Sequence, residues 1–475
     1  MNFEAVIGLE LHVAMKTKTK MFSASEISFE ASPNTRVSLV DIGFPGTLPL
    51  VNKQAVINAI ITADALNMEI DSELHFDRKN YFYPDLAKGY QITQARRPIG
   101  ANGYIELKDN NETKRIGIER LHLEEDTAAQ HHEDEYTLID YNRAGIPLIE
   151  IVSHPELRSA NEAMKFIEAI REIVVYKDVS DGKMEEGSLR CDVNISLRLH
   201  GEEKFGTKVE IKNLNSIANV GKAIEYEINR QAKQLLKGKA VIAETRRYDD
   251  ATRATISMRR KDEDVDYRYF PEADIPIIHL SDEFIKSAIE NAPESASLKR
   301  NRYIEKLGLS EYDANIILQN KADALYFDEA AKLTTHYKTL ANWMNGEVLS
   351  YLNEHQVDIN KLPIKPARLA SLVNLIESGQ ISNKQGRDLF KIMLEDKRDP
   401  QVIANAKNMM QISDESVLIP LVEEILRANP QSIEDYKGGK DRALGYLVGQ
   451  VMKKTRGKAN PAVVNQIVSE QIKKY

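Results

Sequence analysis

Apolar and polar residues alternate in several stretches of the first half of the chain, the two-residue period of a β-strand with one covered face. In Ile7-Gly8-Leu9-Glu10-Leu11-His12-Val13 this period puts Glu10 and His12 on one face and Ile7, Leu9, Leu11 and Val13 on the other. The run Ser188-Leu189-Arg190-Cys191-Asp192-Val193-Asn194-Ile195-Ser196 repeats it, opposing Arg190, Asp192 and Asn194 to Leu189, Cys191, Val193 and Ile195. A third run carries Lys208, Glu210 and Lys212. A half-exposed sheet is commonly dressed with Thr, Ser, Lys and Glu, without a His-carboxylate pair or repeated Asn, so these polar faces are candidates for chemistry. Helical periods appear between the strands. One runs from Asn52 to Asn67, with Asn52 as cap and Val56, Ile60 and Ala63 as its stripe; another begins at Ser159, with Glu162 at capping-box spacing and Met164, Ile167, Ile170 and Val174 on one face.

From about Pro293 the strand pattern fades, and helical periods punctuated by Gly or Pro take over around Leu325, Trp343 and Leu389. A weaker break falls between Pro400 and Ile412. The expectation is an α+β fold: a domain with an antiparallel or mixed sheet over 1–292, an all-α helical domain over 293–405 and a small helical tail over 406–475. A length of 475 residues asks for more than one core, and 42% hydrophobic with 29% charged residues describes a globular chain rather than a disordered one. No uninterrupted apolar window of about 18 residues occurs and no basic region leads into an apolar run at the N-terminus, so a cytoplasmic protein without membrane contact is expected.

The single cysteine, Cys191, excludes an intrachain disulfide and a multi-cysteine zinc site. On the apolar face of its strand it reads as an inert buried thiol. A net charge of −8 argues against non-specific coating of nucleic acid, but the tail is locally basic: Lys437, Lys440, Arg442, Lys453, Lys454, Arg456, Lys458, Lys473 and Lys474 stand against Asp441 and Glu470. There Gly445-Tyr446-Leu447-Val448-Gly449-Gln450-Val451-Met452 runs into Lys453-Lys454-Thr455-Arg456-Gly457-Lys458, an arrangement suited to an RNA backbone.

Ile146-Pro147-Leu148-Ile149-Glu150-Ile151-Val152 is an apolar run broken by one carboxylate. Burying an ionised carboxylate without a partner costs several kcal/mol, so Glu150 needs a cation, donors or solvent. Leu121-His122-Leu123-Glu124-Glu125-Asp126 adds a second acidic group. Together with Glu10 and His12 these residues offer oxygens and an imidazole, a set suited to Mg²⁺ or Mn²⁺ more than to a closed zinc site. Alternation groups Glu124 with His122 and Glu125 with Leu123, but a bulge or a strand end reverses that, so both glutamates stay candidates. Arg78, Lys79, Lys88, Arg190, Lys208 and Lys212 supply fixed cations that suit phosphate held through a divalent ion. The sequence has neither Gly-x-x-x-x-Gly-Lys-Ser/Thr nor Gly-x-Ser-x-Gly, which removes a P-loop and a serine-hydrolase elbow. Phosphoryl transfer needs metal, cations and positioning with little covalent help, and these residues match that demand.

Val6 to Val13, Asp77-Arg78-Lys79-Asn80-Tyr81-Phe82-Tyr83-Pro84, Lys183-Met184-Glu185-Glu186-Gly187-Ser188-Leu189-Arg190-Cys191-Asp192 and Glu210-Ile211-Lys212-Asn213-Leu214-Asn215-Ser216 resemble the GatB family of the bacterial aspartyl/glutamyl-tRNA amidotransferases. Asp266-Tyr267-Arg268-Tyr269-Phe270-Pro271-Glu272, Ala341-Asn342-Trp343 and Ala459-Asn460-Pro461 extend the resemblance over the whole length. It implies a cradle-like catalytic domain, a helical domain and a YqeY-like, tRNA-binding tail. It also implies an ATP-dependent reaction in which the side-chain carboxylate of Glu on tRNA(Gln), or of Asp on tRNA(Asn), is phosphorylated. Ammonia delivered from a glutaminase subunit then displaces the phosphate. The implied partners are a GatA-type amidase and a small GatC-type protein. The family's metal ligands map onto Glu10, His12, Glu125 and Glu150, for Mg²⁺ or Mn²⁺, and no zinc is expected. Lys79, Arg190, Asp192, Asn194, Lys208, Glu210 and Lys212 are expected to line the nucleotide and acyl-acceptor site, with Lys88 a candidate for admitting ammonia. The related GatE carries an inserted domain, and this chain shows no long insertion to house one. The other reading is a non-catalytic tRNA-binding scaffold whose acidic face is structural.

Overall fold

The structure, a computed structural model, describes residues 2–28, 30–109, 112–260, 266–412, 414–455 and 457–475. Arg456 of the basic tail lies outside the described residues. The chain divides after Ala296 into two units.

The strands of the first unit are, in chain order, β1 (Phe3–Ala14), β2 (Glu69–Ile70), β3 (Glu73–Leu74), β4 (Asp77–Asn80), β5 (Tyr90–Thr93), β6 (Gly100–Asp109), β7 (Glu112–Glu125), β8 (Ala129–His132), β9 (Thr137–Asp140), β10 (Pro147–Ser153), β11 (Leu189–Leu199), β12 (Val209–Leu214), β13 (Glu244–Asp249), β14 (Ala254–Arg260), β15 (Phe270–Pro271) and β16 (Ile278–His279). Its helices are α1 (Lys53–Ala65), α2 (Ala160–Tyr176), α3 (Ile217–Leu236) and α4 (Asp282–Glu290). Nine strands form the main sheet in the order β14-β13-β12-β11-β1-β10-β7-β6-β2. Every neighbouring pair is antiparallel except β12 and β13, which run parallel with α3 as their crossover. This is the expected α+β layout with a mixed sheet.

Alternation sets the two faces. Leu9, Leu11 and Val13 of β1 are at most 1% exposed and join Ile149, Ile151, Val193 and Ile195 in one core, which α1, α2 and α3 cover. Truncating one such leucine to alanine costs about 2–5 kcal/mol. The polar residues between them emerge on the uncovered face. Asn52 caps α1 by accepting from Gln54 N and Ala55 N at 2.9 and 3.2 Å, and Val56, Ile60 and Ala63 are buried. Ser159 Oγ likewise accepts from Glu162 N at 3.1 Å, but the reciprocal bond shifts by one residue: Glu162 Oε2 accepts from Arg158 N at 2.8 Å and from Lys114 Nζ at 2.7 Å. Lys114 on β7 draws the carboxylate away from the cap. Ile167, Ile170 and Val174 are buried as the pattern predicts, with Ala163 and Phe166 completing the stripe and Met164 only partly covered. At Gly221 on α3 an added Cβ would meet Met164 Sδ at 2.6 Å, so the Met164 side chain of α2 packs into the space that this glycine leaves.

Lys20 is fully buried, and its ammonium donates to Asp41 Oδ2 at 3.0 Å and to the Tyr141 carbonyl at 3.2 Å. Burial pushes its pKa down, and the Asp41 charge restores only part of that. The pair ties the loop holding Asp41 to the sheet.

The second unit contains α5 (Ala296–Glu305), α6 (Glu311–Leu318), α7 (Lys321–Ala331), α8 (Tyr337–Trp343), α9 (Leu349–His355), α10 (Pro366–Glu377), α11 (Asn383–Glu395), α12 (Pro400–Ala406), α13 (Glu415–Ala428), α14 (Pro430–Lys437), α15 (Arg442–Lys454) and α16 (Pro461–Ile472), with no strand among its described residues. Met344–Val348 between α8 and α9 is a π-helical turn. Leu418, Val422, Leu447, Val451, Val464 and Ile467 form a core among α13, α15 and α16. No helix among the described residues is long and apolar enough to cross a membrane.

Candidate active site

Register brings four polar side chains into one row. His12 on β1 lies opposite Arg190 on β11 and Glu150 on β10, and Glu150 lies opposite His122 on β7. Both imidazoles turn to the same carboxylate, with His12 Nε2 at 3.4 Å and His122 Nε2 at 3.3 Å from Glu150 Oε2. Glu124, two residues along β7, completes the group at 3.7 Å from His12 Nε2 and 3.6 Å from His122 Nε2. Neither Glu124 nor Glu150 is salt-bridged to a lysine or arginine among the described residues.

Ligand atoms of His12, Glu124 and Glu150 all lie within 4.8 Å of one another, and two carboxylates with an imidazole form a donor set that fits a divalent cation such as Mg²⁺ or Mn²⁺. Burial pushes both imidazoles down, but the Glu150 and Glu124 charges more than reverse it: His12 ends above the ordinary histidine value and His122 at about 9. Glu150 feels the converse. Burial raises its pKa, and His122 and His12 together pull it well below the usual carboxylate range.

Glu125, expected among the ligands, is not in this group. Its Oε1 accepts from Lys88 Nζ and from Ile92 N, the latter at 3.0 Å, on the side of β7 away from His12. β7 keeps its two-residue period to its end, so Glu124 takes the face of His12 and Glu125 takes the other. Glu10 shares the face of His12 but accepts from Asn194 Nδ2 at 2.8 Å rather than joining the trio. Lys88, paired with Glu125, also stands outside it.

The remaining expected residues border the acids. A cavity of about 540 Å³ is lined by Glu10, His12, Lys79, His122, Glu124, Glu150, Asp192, Glu210 and Lys212 together with Arg96, Arg120, Tyr267 and Tyr269. Lys212 donates to Asp192 Oδ2 at 2.6 Å and lies 3.5 Å from Glu210 Oε1. Burial lowers the Lys212 pKa, but those two carboxylates raise it by more, so the ammonium stays charged. Glu210 also accepts from Thr245 Oγ1 at 2.8 Å. Arg190 pairs with Asp126 at 3.0 Å, which raises its pKa against burial, and its Nε is buried without a hydrogen-bond partner. Asn194 Oδ1 is likewise buried and unpartnered. Neither lines the 540 Å³ cavity itself: Arg190 borders an adjoining hollow with His12, Asp192 and Lys212, and Asn194 borders the cleft of Lys208, so each offers a group for a ligand to satisfy in its own hollow. Lys79 has no ion pair among the described residues; burial lowers its pKa, and the charges of Glu124 and Glu150 leave it raised overall. Lys208 is exposed and lines a separate cleft of about 290 Å³ with Gly8, Ser153, Phe205 and Gly206, which meets the larger cavity at Glu10 and Arg120. Arg78 is not in the cavity: it forks onto Glu272 at 2.7 and 2.8 Å and reaches Asp274 at 2.9 Å, clasping the 272–274 segment. Cys191 is buried and its thiol pKa is driven well up by that burial, in keeping with an inert role.

In the sequence Glu124 stood as a candidate ligand beside Glu125, and His122 carried no role. The signal was the alternation itself, since both share a face with Glu150 through register. Tyr267 and Tyr269 carried no such signal, because their segment reaches the site through β4.

The family model described as the GatB/GatE catalytic domain matches residues 5–286, and one described as a GatB domain matches residues 325–472. The chain belongs to the GatB family. It is 51% identical, over 475 residues and the whole of both chains, to proteins named as the B subunit of aspartyl/glutamyl-tRNA(Asn/Gln) amidotransferase in Bacillus cytotoxicus and Bacillus velezensis. The protein of the same name in Bacillus mycoides is 51% identical over 474 residues. The acid and imidazole cluster of this GatB chain falls inside the matched catalytic domain.

Proposed function

We propose that this chain is the carboxylate-activating component of a glutamine-hydrolysing ligase that converts Glu-tRNA(Gln), Asp-tRNA(Asn) or both into the amidated forms. The observation that carries this reading is the trio of His12, Glu124 and Glu150, with no arginine or lysine salt bridge among the described residues, in a cavity that Lys79, itself without an ion pair among those residues, also lines. The partners of these carboxylates are imidazoles, which can give up a proton to make way for a metal ion, rather than a permanent cation such as the Lys212 that neutralises Asp192. Full-length relatives bearing the amidotransferase name support the same substrate class.

A carboxylate is a poor acyl donor until one oxygen becomes a good leaving group. The γ-phosphoryl group of ATP passes to a side-chain carboxylate oxygen of the charged tRNA, releasing ADP. Ammonia then attacks the acyl carbon, the C–O bond to phosphate breaks, and a proton leaves the nitrogen as the amide forms. His12, Glu124 and Glu150 would hold a divalent ion, which supplies charge neutralisation at the phosphates. Lys79 and Lys212 stabilise negative charge on the transferring group, and Asp192 with Glu210 fixes Lys212. Asn194 holds Glu10 in place and keeps a free acceptor for a substrate hydroxyl or amine. Lys208 and the 290 Å³ cleft would receive the nucleoside end of ATP. A GatA-type amidase and a small GatC-type partner would supply the ammonia in the cytoplasm, and the basic C-terminal residues would grip the tRNA backbone.

Replacing Glu150 with Gln tests the reading. ATP- and ammonia-dependent amidation of charged tRNA is expected to fall at least about a hundredfold with tRNA affinity retained. Full amidation by the variant would leave only the scaffold role.

A further inference from the structure

The 540 Å³ cavity that the acidic trio lines is also lined by Tyr267, Tyr269, Arg96 and Arg120. The segment carrying these tyrosines is strapped to β4: Asn80 N donates to the Tyr267 carbonyl at 2.9 Å, Asn80 Nδ2 to the Arg268 carbonyl at 2.8 Å, and Phe270 and Pro271 pair with Arg78 and Asp77. The Arg78–Glu272 fork fixes the next residue. Three rings follow one another edge to face, Tyr81 to Tyr267 at 6.0 Å and Tyr267 to Tyr269 at 5.9 Å between centroids. Lys79 Nζ sits 4.8 Å from the Tyr267 centroid.

This wall is more than packing. Tyr269 is 45% exposed, and none of the three hydroxyls has a hydrogen-bond partner among the described residues. A rigid, half-open aromatic face beside a cation and in one cavity with the acidic trio suits a flat heteroaromatic ring on a phosphodiester, for which stacking and cation attraction act together.

Resting on the function proposed above, we infer that Tyr267 and Tyr269 form the stacking platform for the 3′-terminal base of the charged tRNA, positioning the amino-acid side chain over His12, Glu124 and Glu150. A nucleobase could also come from ATP. In-line transfer places the leaving ADP and the attacking carboxylate on opposite sides of the γ-phosphorus. The cleft of Gly8, Phe205 and Lys208 shares Glu10 and Arg120 with the cavity but is lined by neither tyrosine, so a nucleotide seated there leaves the tyrosines to the RNA.

The test uses the full chain and tRNA whose terminal adenosine is replaced by 2-aminopurine, a base whose fluorescence is quenched by stacking. Binding to the wild-type chain is expected to quench it, Tyr269→Ala to relieve most of the quenching, and Tyr269→Phe to keep it. In amidation assays with ammonium salt, Tyr269→Ala is expected to raise KM for charged tRNA about tenfold, leave KM for ATP unchanged, and be rescued by Phe. A rise in KM for ATP alone would hand the platform to the nucleotide, and unchanged values for both would reduce the rings to structural support for Lys79. Quenching needs no turnover, so it reports on base docking even where amidation is absent. Amidation without tyrosine-dependent quenching overturns the platform and leaves the proposed function standing.

Discussion

Glu124 and Glu125 are consecutive, yet their carboxylates leave β7 on opposite sides, one to His12 and His122 and the other to Lys88 and Ile92 N. Their substitutions therefore have different consequences. Glu124→Gln is expected to weaken Mn²⁺ binding, read by calorimetry or electron paramagnetic resonance, at least about tenfold while leaving the melting temperature nearly unchanged. Glu125→Gln leaves the Lys88 ammonium buried without its counter-charge and is expected to destabilise the first unit by about 3–5 kcal/mol in urea unfolding, with Mn²⁺ affinity retained. Equal losses of Mn²⁺ in both variants would contradict the assignment.

Lys79 lines the same cavity as the trio and feels the Glu124 and Glu150 charges, without an ion pair of its own among the described residues. Lys79→Met is expected to lower kcat for amidation by roughly ten- to a hundredfold while Mn²⁺ binding persists, and Lys79→Arg to recover only part of it, because the fork of arginine does not reproduce a compact ammonium. A variant with normal kcat would remove Lys79 from the reaction.

Lys20 and Asp41 are buried together, so removing one partner strands the other. Lys20→Met is expected to cost about 3–5 kcal/mol in denaturant titrations, and the double change Lys20→Met with Asp41→Leu less than the sum of the single changes. Additive losses would show that the two side chains do not act as a pair.

Asp323 in the first turn of α7 has a buried Oδ1 without a hydrogen-bond partner, and burial, with a smaller push from Asp358, raises its pKa to about 6. Its protonated form is favoured by folding. The associated stability is fully present below the unfolded value of 3.8 and is lost as pH rises through about 6. Asp323→Asn is therefore expected to stabilise at pH 7.5 relative to pH 4 by on the order of 1 kcal/mol once solvent screening is allowed for. The lost attraction to the α7 N-terminus, about 0.3–1 kcal/mol, works against it at the higher pH. Thermal unfolding at the two pH values is the measurement, and a variant whose effect does not change between them would show that Asp323 does not titrate in this range.

Much of the first unit was legible because its strands alternate cleanly. One strand of period two suffices to place Glu10 with His12, or Arg190 with Asp192 and Asn194, on a shared face. Which strands adjoin is a property of register over long separations, and no local pattern contains it. That is why the meeting of His122 with Glu150, and the choice of Glu124 over Glu125, needed the sheet. Alternation left both glutamates open and the resemblance implied Glu125, whereas the sheet groups Glu124, not Glu125, with His12 and Glu150. The capping box at Ser159 was half right, since a lysine on a neighbouring strand competes for Glu162. Nothing local to Tyr267 and Tyr269 shows that β4 carries them to the acids.

The sheet also sets a timetable for synthesis. β1 is the central strand, and its pairing residues run from Leu148 on β10 to Leu199 on β11. At about 5–20 residues per second, roughly 10–40 s pass before its second neighbour leaves the ribosome. Until β10 follows, this apolar strand carries two unsatisfied edges, and until β11 follows it still carries one, which makes the nascent polypeptide a client for a holding chaperone and slows folding through high contact order.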